Sequence, residues 1–235
     1  MGRIKIQFKT EGAVTLPLHS QKLVNSYIHR CIGPNEFHDA QSKYNYSALK
    51  GGTPLNGKQE LFPKGAYILV SFDEKSPEGR AFFERLMSGL FTTEFGHGFN
   101  YAGMSVTDAK FYDGYNMFVS VDPVLLKNSE NRHMTVEESG AEEYSKLLTE
   151  HTIRKLNKIN PKLDLSGFNI EVREGAKTIY KEVGNQFNFG SKIIAKIDCN
   201  RTVAKTIYDY GLGQSTGSGF GLIYDMENRD FHVQY

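Results

Sequence analysis

The opening of the chain alternates apolar and polar residues. Over Arg3–Phe8 this period of two predicts a half-buried strand. From about Ser20 to Ile32, apolar residues recur every three or four positions, which predicts an amphipathic helix that ends at Gly33-Pro34. A weak edge strand is expected in the polar stretch that follows. The remaining elements of this half are a strand over Tyr67–Phe72, a helix over Pro77–Leu90 and a strand over Met104–Tyr112.

The pattern restarts after the turn at Asp113-Gly114. The predicted elements are a strand over Tyr115–Val121, a long helix over Ala141–Ile159, strands over Phe168–Arg173 and Lys192–Cys199, a short helix over Val203–Tyr210 and a strand over Gly221–Met226. Each half approximates the order βαββαβ. We therefore predict an α+β protein of two tandem ferredoxin-like (RRM-like) domains, residues 1–113 and 114–235. No internal sequence repeat accompanies the duplicated pattern.

Composition narrows the class of protein. Hydrophobic residues make up 39% and charged residues 23% of the chain, as in soluble globular proteins. The net charge is only +1, so any contact with a nucleic acid must depend on a local cluster of cations. Cys31 and Cys199 have neither zinc-site spacing nor the number needed for a disulfide framework, and we expect buried thiols and a cytoplasmic location. We expect no signal peptide and no membrane association.

A glycine-rich run near the C-terminus is the most distinctive motif. Tyr210–Gly221 reads YGLGQSTGSGFG, with glycine at 211, 213, 217, 219 and 221. Such a run can approach a ligand closely and expose successive N–H groups to an anion. A Walker A loop would need a lysine, and a dinucleotide fingerprint would need a following helix, where a strand is predicted instead. A flexible hairpin loop is the simpler alternative.

The run resembles the glycine-rich loop of the RAMP superfamily, in which a Gly-aliphatic-Gly and a Gly-Phe-Gly flank a short spacer before a strand. Leu212 and Phe220 occupy its hydrophobic positions. Within that superfamily, nearly the whole chain is similar to the CRISPR precursor-RNA-processing endoribonucleases. The length, the MGRIKIQF start, the first helix and the two ferredoxin-like units all agree with this resemblance.

The resemblance implies RNA cleavage without a metal or other cofactor. In that family the ribose 2′-OH attacks the neighbouring phosphate, so a base, an acid and a cation are required. By place in the sequence, His29 and His38 match the proton-transferring groups, and Lys43 matches the stabilising cation. Simpler alternatives are a helix-capping role for His29, a surface-loop position for His38 and solvation of Lys43.

The predicted RNA contacts lie in the last third of the chain. They comprise the five glycines Gly211, Gly213, Gly217, Gly219 and Gly221, together with Ser215, Lys192, Lys196 and Arg201. Lys192 and Lys196 are expected on one face of one strand. A second basic cluster, Arg154, Lys155, Lys158 and Lys162, could also neutralise phosphates; a solvated charged surface is the alternative for either group.

The partners implied by the resemblance are CRISPR repeat RNA, before and after processing, and possible effector-complex subunits or a second copy of the chain. Two other functions stay open. The first is a non-catalytic RAMP subunit that only binds guide RNA in an effector complex. The second is a nucleotide-binding α+β protein that uses the glycine run as a phosphate loop.

Overall fold

The computed structural model describes residues 3–18, 20–34, 42, 44–107, 109–173, 177–183 and 186–226. Backbone contacts divide the chain into two units, each with its own hydrophobic core. Unit 1 comprises Met1–Asp108, Glu182–Gln186 and Gly217–Gly219, and unit 2 comprises Ala109–Lys181, Phe187–Thr216 and Phe220–Tyr235. The tip of the glycine run, Gly217–Gly219, therefore belongs with unit 1, whereas the residues on either side of it belong with unit 2.

Unit 1 contains one complete βαββαβ motif and a small additional sheet. Its elements are β1 (Arg3–Lys9), β2 (Val14–Pro17), α1 (Gln21–Ile32), β3 (Tyr44–Tyr46), β4 (Thr53–Leu55), β5 (Gln59–Phe62), β6 (Gly65–Phe72), α2 (Pro77–Leu90) and β7 (Asn100–Val106). The main sheet is antiparallel in the order β3-β6-β1-β7. The motif's first strand thus lies between its third and fourth, as in a ferredoxin-like fold. The additional sheet has the order β2-β5-β4.

The alternation in β1 determines where the core of unit 1 forms. Ile4, Ile6 and Phe8 are buried with the apolar sides of α1 and α2, while Gln7 and Lys9 are exposed. The two helices approach each other closely at Gly89, where any side chain would overlap the backbone of Cys31. Glycine at this position therefore allows both helices to cover one face of the sheet.

Unit 2 repeats the motif with two small two-stranded sheets inserted in it. Its elements are β8 (Gly114–Ser120), β9 (Leu126–Lys127), β10 (His133–Met134), α3 (Val136–Ile159), β11 (Asn169–Val172), β12 (Lys177–Val183), β13 (Gln186–Lys192), β14 (Ile194–Cys199), α4 (Arg201–Tyr210) and β15 (Ile223–Asp225). The main sheet is antiparallel in the order β11-β14-β8-β15. As in unit 1, the first strand of the motif lies between its third and fourth strands. The predicted pair of ferredoxin-like units is confirmed.

Side-chain caps explain where three of the helices begin. The hydroxyl of Ser76 accepts a hydrogen bond from the N–H of Gly79 at 2.9 Å and precedes Pro77, a residue favoured in the first helical turn. Thr135 caps α3 in the same way, and the amide oxygen of Asn200 accepts from the N–H of Val203 in α4. These caps satisfy N–H groups that the helices themselves leave unpaired.

Several predicted bounds differ from the structure. β7 ends at Val106, because Phe111 packs against Tyr208 at 5.2 Å and Tyr112 bonds to Asn116 instead of continuing the strand. α3 begins at Val136 and is interrupted at Gly140, which has a non-helical backbone. The predicted strand Lys192–Cys199 divides into the end of β13 and β14. Both cysteines are free and buried, as predicted.

Candidate nucleic-acid interface

A polar stripe runs along one side of α1. Gln21, Asn25 and His29 are spaced four residues apart, so they lie on the same side of the helix. The amide nitrogen of Gln21 donates to the amide oxygen of Asn25 at 2.8 Å, and the hydroxyl of Tyr46 donates to that oxygen at 3.1 Å. His29 is half-buried in the last turn, where the N–H of Gly33 closes the helix by donating to the His29 carbonyl. These contacts hold the stripe in a defined conformation.

The tip of the glycine run, Gly217–Gly219, packs within unit 1 against the beginning of this stripe. A side chain at position 219 would overlap the amide of Gln21, and one at position 217 would overlap the hydroxyl of Ser42. Gly219 also has a positive φ of 83°, which favours glycine. Gln21, which the tip contacts, and His29 lie on the same side of α1, about 12 Å apart along the helix axis given a rise of ~1.5 Å per residue.

His38 and Lys43, the other two predicted catalytic residues, lie outside the described residues. The neighbouring Tyr44 begins β3 and is buried, with its ring stacked on Phe82 at a centroid distance of 4.2 Å. Of the three predicted catalytic residues, His29 is therefore the one that lies within the described residues.

Most of the glycine run is buried and bonded to the protein's own backbone. Gly211, Gly213, Gly219 and Gly221 are buried, whereas Ser215 is exposed and Gly217 is half-buried. Four of its N–H groups are already used: 211 donates to Ile207, 212 to Gly221, 214 to Leu125 and 221 to Pro123. At least four N–H groups of the run are therefore unavailable to an anion, and its exposed or half-buried residues are Gln214, Ser215, Gly217 and Ser218.

Close packing explains why the buried positions are glycine. A side chain at 221 would overlap the carbonyl of Leu212, and one at 213 would overlap the carbonyl of Leu125. Both residues also have positive φ, 65° and 71°. Since backbone cannot move aside as a side chain can, these glycines form the frame of the loop.

The comparisons with known proteins decide the family. Residues 107–224, half of the 235-residue chain, match the family described as CRISPR associated protein Cas6, C-terminal. The chain belongs to the Cas6 family. Members of the Cas6 family are endoribonucleases that take part in processing CRISPR RNA. A search of curated proteins gives no significant match.

Solved structures share the Cas6 fold over the full length of the chain. A "Cas6-related gene from Pyrococcus furiosus" superposes with a TM-score of 0.78 at 17% identity, covering 97% of this chain and 99% of that one. A protein described as "an RAMP protein binding different RNA substrates" gives 0.76 at 20%, covering 96% and 100%. A "CRISPR associated protein Cas6" gives 0.75 at 16%, covering 96% and 99%. At these identities the likeness establishes the fold.

The three cationic residues predicted to contact RNA lie on three different elements of this Cas6 chain. Lys192 ends β13 whereas Lys196 lies in β14, so the expectation of a shared strand is wrong. Lys196 pairs with Asp198 at 3.0 Å and lies 5.6 Å above the ring of exposed Tyr115, on the sheet face opposite the helices. Arg201 begins α4, and its side chain donates to the Phe111 carbonyl at 3.0 Å. Both remain accessible to RNA phosphates in part.

Two buried lysines contact the glycine run, and neither contact was predicted from the sequence. Lys155 was assigned to a basic surface cluster, yet it is buried beneath the run. Lys181 forms a buried ion pair with Asp122 at 2.7 Å, and its amino group lies 5.4 Å from the ring of Phe220. The sequence pattern does not show that a particular lysine is buried. The polar stripe of Gln21 and Asn25, in contrast, could have been predicted, because both residues precede His29 at intervals of four.

Two further histidines among the described residues, His97 and His151, lie in a turn and in a partly buried helix position. His97 and Gly98 form the two central residues of a tight turn, both with positive φ as type I′ turns require. Burial lowers the pKa of His151 to about 4. Within the described ranges, no three histidine, cysteine or acidic side chains converge as metal ligands. None of the described helices is long and apolar enough to cross a membrane.

Proposed function

We propose that this protein cleaves CRISPR repeat RNA to release guide RNAs, without a metal ion, by attack of a ribose 2′-OH. The observation that carries the proposal is the packing of Gly217–Gly219 against the same side of α1 that holds His29. A close-fitting backbone segment and a histidine about 12 Å away on one helix could hold an RNA strand across the reacting phosphate.

In the proposed reaction, one group accepts the proton of the 2′-OH while the 2′-oxygen bonds to the adjacent phosphorus. A second group donates a proton to the 5′-oxygen as its bond to phosphorus breaks. The products are a 2′,3′-cyclic phosphate and a 5′-hydroxyl. Imidazole suits both proton transfers because its ordinary pKa lies near neutrality. We assign these to His29 and His38, and the stabilisation of the phosphorane charge to Lys43.

Several groups could hold the RNA outside the reacting phosphate. Ser215 and Gly217 offer accessible backbone at the tip of the run. Lys192, Lys196 and Arg201 supply positive charge in unit 2, although the pairing of Lys196 with Asp198 reduces its net attraction for phosphate. The chain's small net charge makes such local contacts the source of affinity. In this proposal the processed RNA is then available to effector-complex subunits in the cytoplasm.

The test uses repeat RNA labelled at its 5′ end and incubated with the protein in EDTA. We expect a single cut that leaves a 2′,3′-cyclic phosphate. A 2′-deoxy substitution at the cut should abolish cleavage and leave binding unchanged, because only the attacking hydroxyl is removed. Cleavage of the deoxy RNA would contradict the mechanism. Binding without any cleavage would instead favour a non-catalytic RNA-binding subunit.

A mononucleotide-binding protein is less well supported. The run lacks the lysine of a phosphate loop, a strand follows it, and four of its N–H groups are bonded within the protein. Tight binding of ATP or GTP together with no binding of repeat RNA would reverse this judgement.

A further inference from the structure

The amino group of Lys155 lies among four oxygen atoms of the glycine run. It is 2.9 Å from the carbonyl of Tyr210, 3.0 Å from that of Gly211, 3.4 Å from that of Gly213 and 3.4 Å from the hydroxyl of Thr216. A lysine has three N–H donors when protonated and two when neutral, so these four oxygens use its whole donor capacity in either state. One side chain of α3 thereby joins the end of α4 to the first residue of the 3₁₀ turn Thr216–Ser218.

We propose that Lys155 is a positioning residue for RNA contact, which fixes the conformation of residues 210–216 and so determines how Gly217–Gly219 is presented. The inference rests on the proposed function, because it treats the tip as an RNA contact. Lys155 itself is buried and does not touch RNA.

The backbone of the run indicates why such an anchor is needed. Gly211 and Gly213 have φ of 74° and 71°, and Ser215, which is not glycine, has φ of 52°. The left-handed conformation disfavours a non-glycine residue by about 1 kcal/mol or more, so an unanchored chain would leave it readily. Three carbonyls turned toward one point also repel one another unless a donor lies between them. Lys155 supplies that donor.

A side chain that only fills space in the interior would not need to be a lysine. Burial of an amino group is costly unless hydrogen bonds compensate it, and an apolar side chain of similar length would avoid the cost. The four oxygen partners mark Lys155 as the group that orders this stretch. The matched control is Lys158 on the same helix, which is exposed and carries the same charge.

The first experiment measures amide hydrogen exchange in the protein without RNA. In Lys155→Met we expect exchange over residues 210–219 to accelerate about tenfold or more, while the amides of β8 and β14 keep their protection. Lys158→Met should behave as the unmodified protein. Unchanged exchange over residues 210–219 would overturn the anchoring role, and uniform acceleration would indicate a merely structural residue.

The second experiment measures the Kd of each variant for 2′-deoxy repeat RNA. If the unmodified protein binds, we expect Lys155→Met to weaken binding about tenfold or more relative to Lys158→Met, and equal affinities would overturn the positioning role. If the unmodified protein does not bind, the proposed function fails, and the exchange result still decides the anchor.

Thr216→Val covers the case in which Lys155→Met does not fold. It removes a single hydroxyl partner of Lys155 and preserves the shape of the side chain. We expect faster exchange confined to residues 214–219 and a smaller loss of affinity. No change in either measurement would count against the proposal.

Discussion

The side-chain amide of Gln21 occupies the space into which a side chain at position 219 would project. That amide also donates to Asn25 at 2.8 Å, so the tip of the glycine run and the polar stripe of α1 are sterically coupled. A change at either residue should therefore disturb the hydrogen bond between Gln21 and Asn25.

Gly219→Ala should weaken RNA binding by about tenfold, because the new methyl group displaces Gln21 and the positive φ of 83° adds strain of ~1–2 kcal/mol. Filter binding with 2′-deoxy repeat RNA measures this. Gly167→Ala is the control for backbone strain, since Gly167 also has a positive φ, 69°, and nothing lies within 4 Å of the added methyl group. Adding Gln21→Ala to Gly219→Ala should restore part of the affinity for RNA, because the shortened side chain makes room for the methyl group. If affinity is not restored, the overlap between position 219 and Gln21 does not cause the loss.

Gly221→Ala should destabilise the protein more than Gly167→Ala. Both glycines have left-handed φ, 65° and 69°, so both substitutions incur about 1–2 kcal/mol of backbone strain. Only at 221 would the methyl group also overlap a backbone atom, the carbonyl oxygen of Leu212, whereas nothing lies within 4 Å at 167. Urea denaturation compares the two free energies of unfolding. Equal losses would show that conformational strain alone explains the glycine at 221.

The fold was predictable because the spacing of apolar residues along the sequence indicates which face of a strand or helix is buried. Ile4, Ile6 and Phe8 alternate along β1, and the buried face of the strand follows from that pattern alone. The end of β7 was not predictable, since the apolar character of Phe111 reads equally as strand or as packing against Tyr208. Short strands such as β4 and β9, with three and two residues, are too short for a period to emerge.

The candidate site was predictable only in part. The glycine run and His29 were selected as candidates because their residue types are distinctive. The residues that contact the run in the folded chain were not predicted. Lys155 is surrounded in sequence by Arg154 and Lys158, so its burial depends on tertiary contacts with the carbonyls of residues 210–213. The same contacts explain why most glycines of the run form a frame rather than an open anion-binding surface.

Raising the pH from 7 to 9 should stabilise the unmodified protein relative to Lys155→Met. Burial lowers the pKa of Lys155 to about 7, whereas a lysine in the unfolded chain titrates near 10.4. Between these values the unfolded chain binds the extra proton, so the free energy of unfolding rises with pH, by at most about 1.4 kcal/mol per unit. Below pH 7 both states hold the proton and this slope vanishes.

Urea denaturation at pH 7, 8 and 9 checks this slope. Lys158→Met should keep it, since that lysine is exposed. His151, one turn away from Lys155, does not interfere: burial lowers its pKa to about 4, and it is neutral in both states above pH 7. Parallel slopes in the unmodified protein and Lys155→Met would show that Lys155 stays charged throughout this range.

His29→Ala should reduce the rate of RNA cleavage about a hundredfold or more while the Kd for 2′-deoxy repeat RNA stays within about twofold, because a proton-transferring group acts mainly in the transition state. Single-turnover cleavage at saturating protein separates the two quantities. His97→Asn is the control for the general loss of an imidazole, since His97 is exposed and lies in a turn where asparagine tolerates its φ of 54°. Because His29 is only half-buried, its loss should leave the fold intact. Full activity of His29→Ala would assign the proton transfers to other groups and leave α1 as a binding surface.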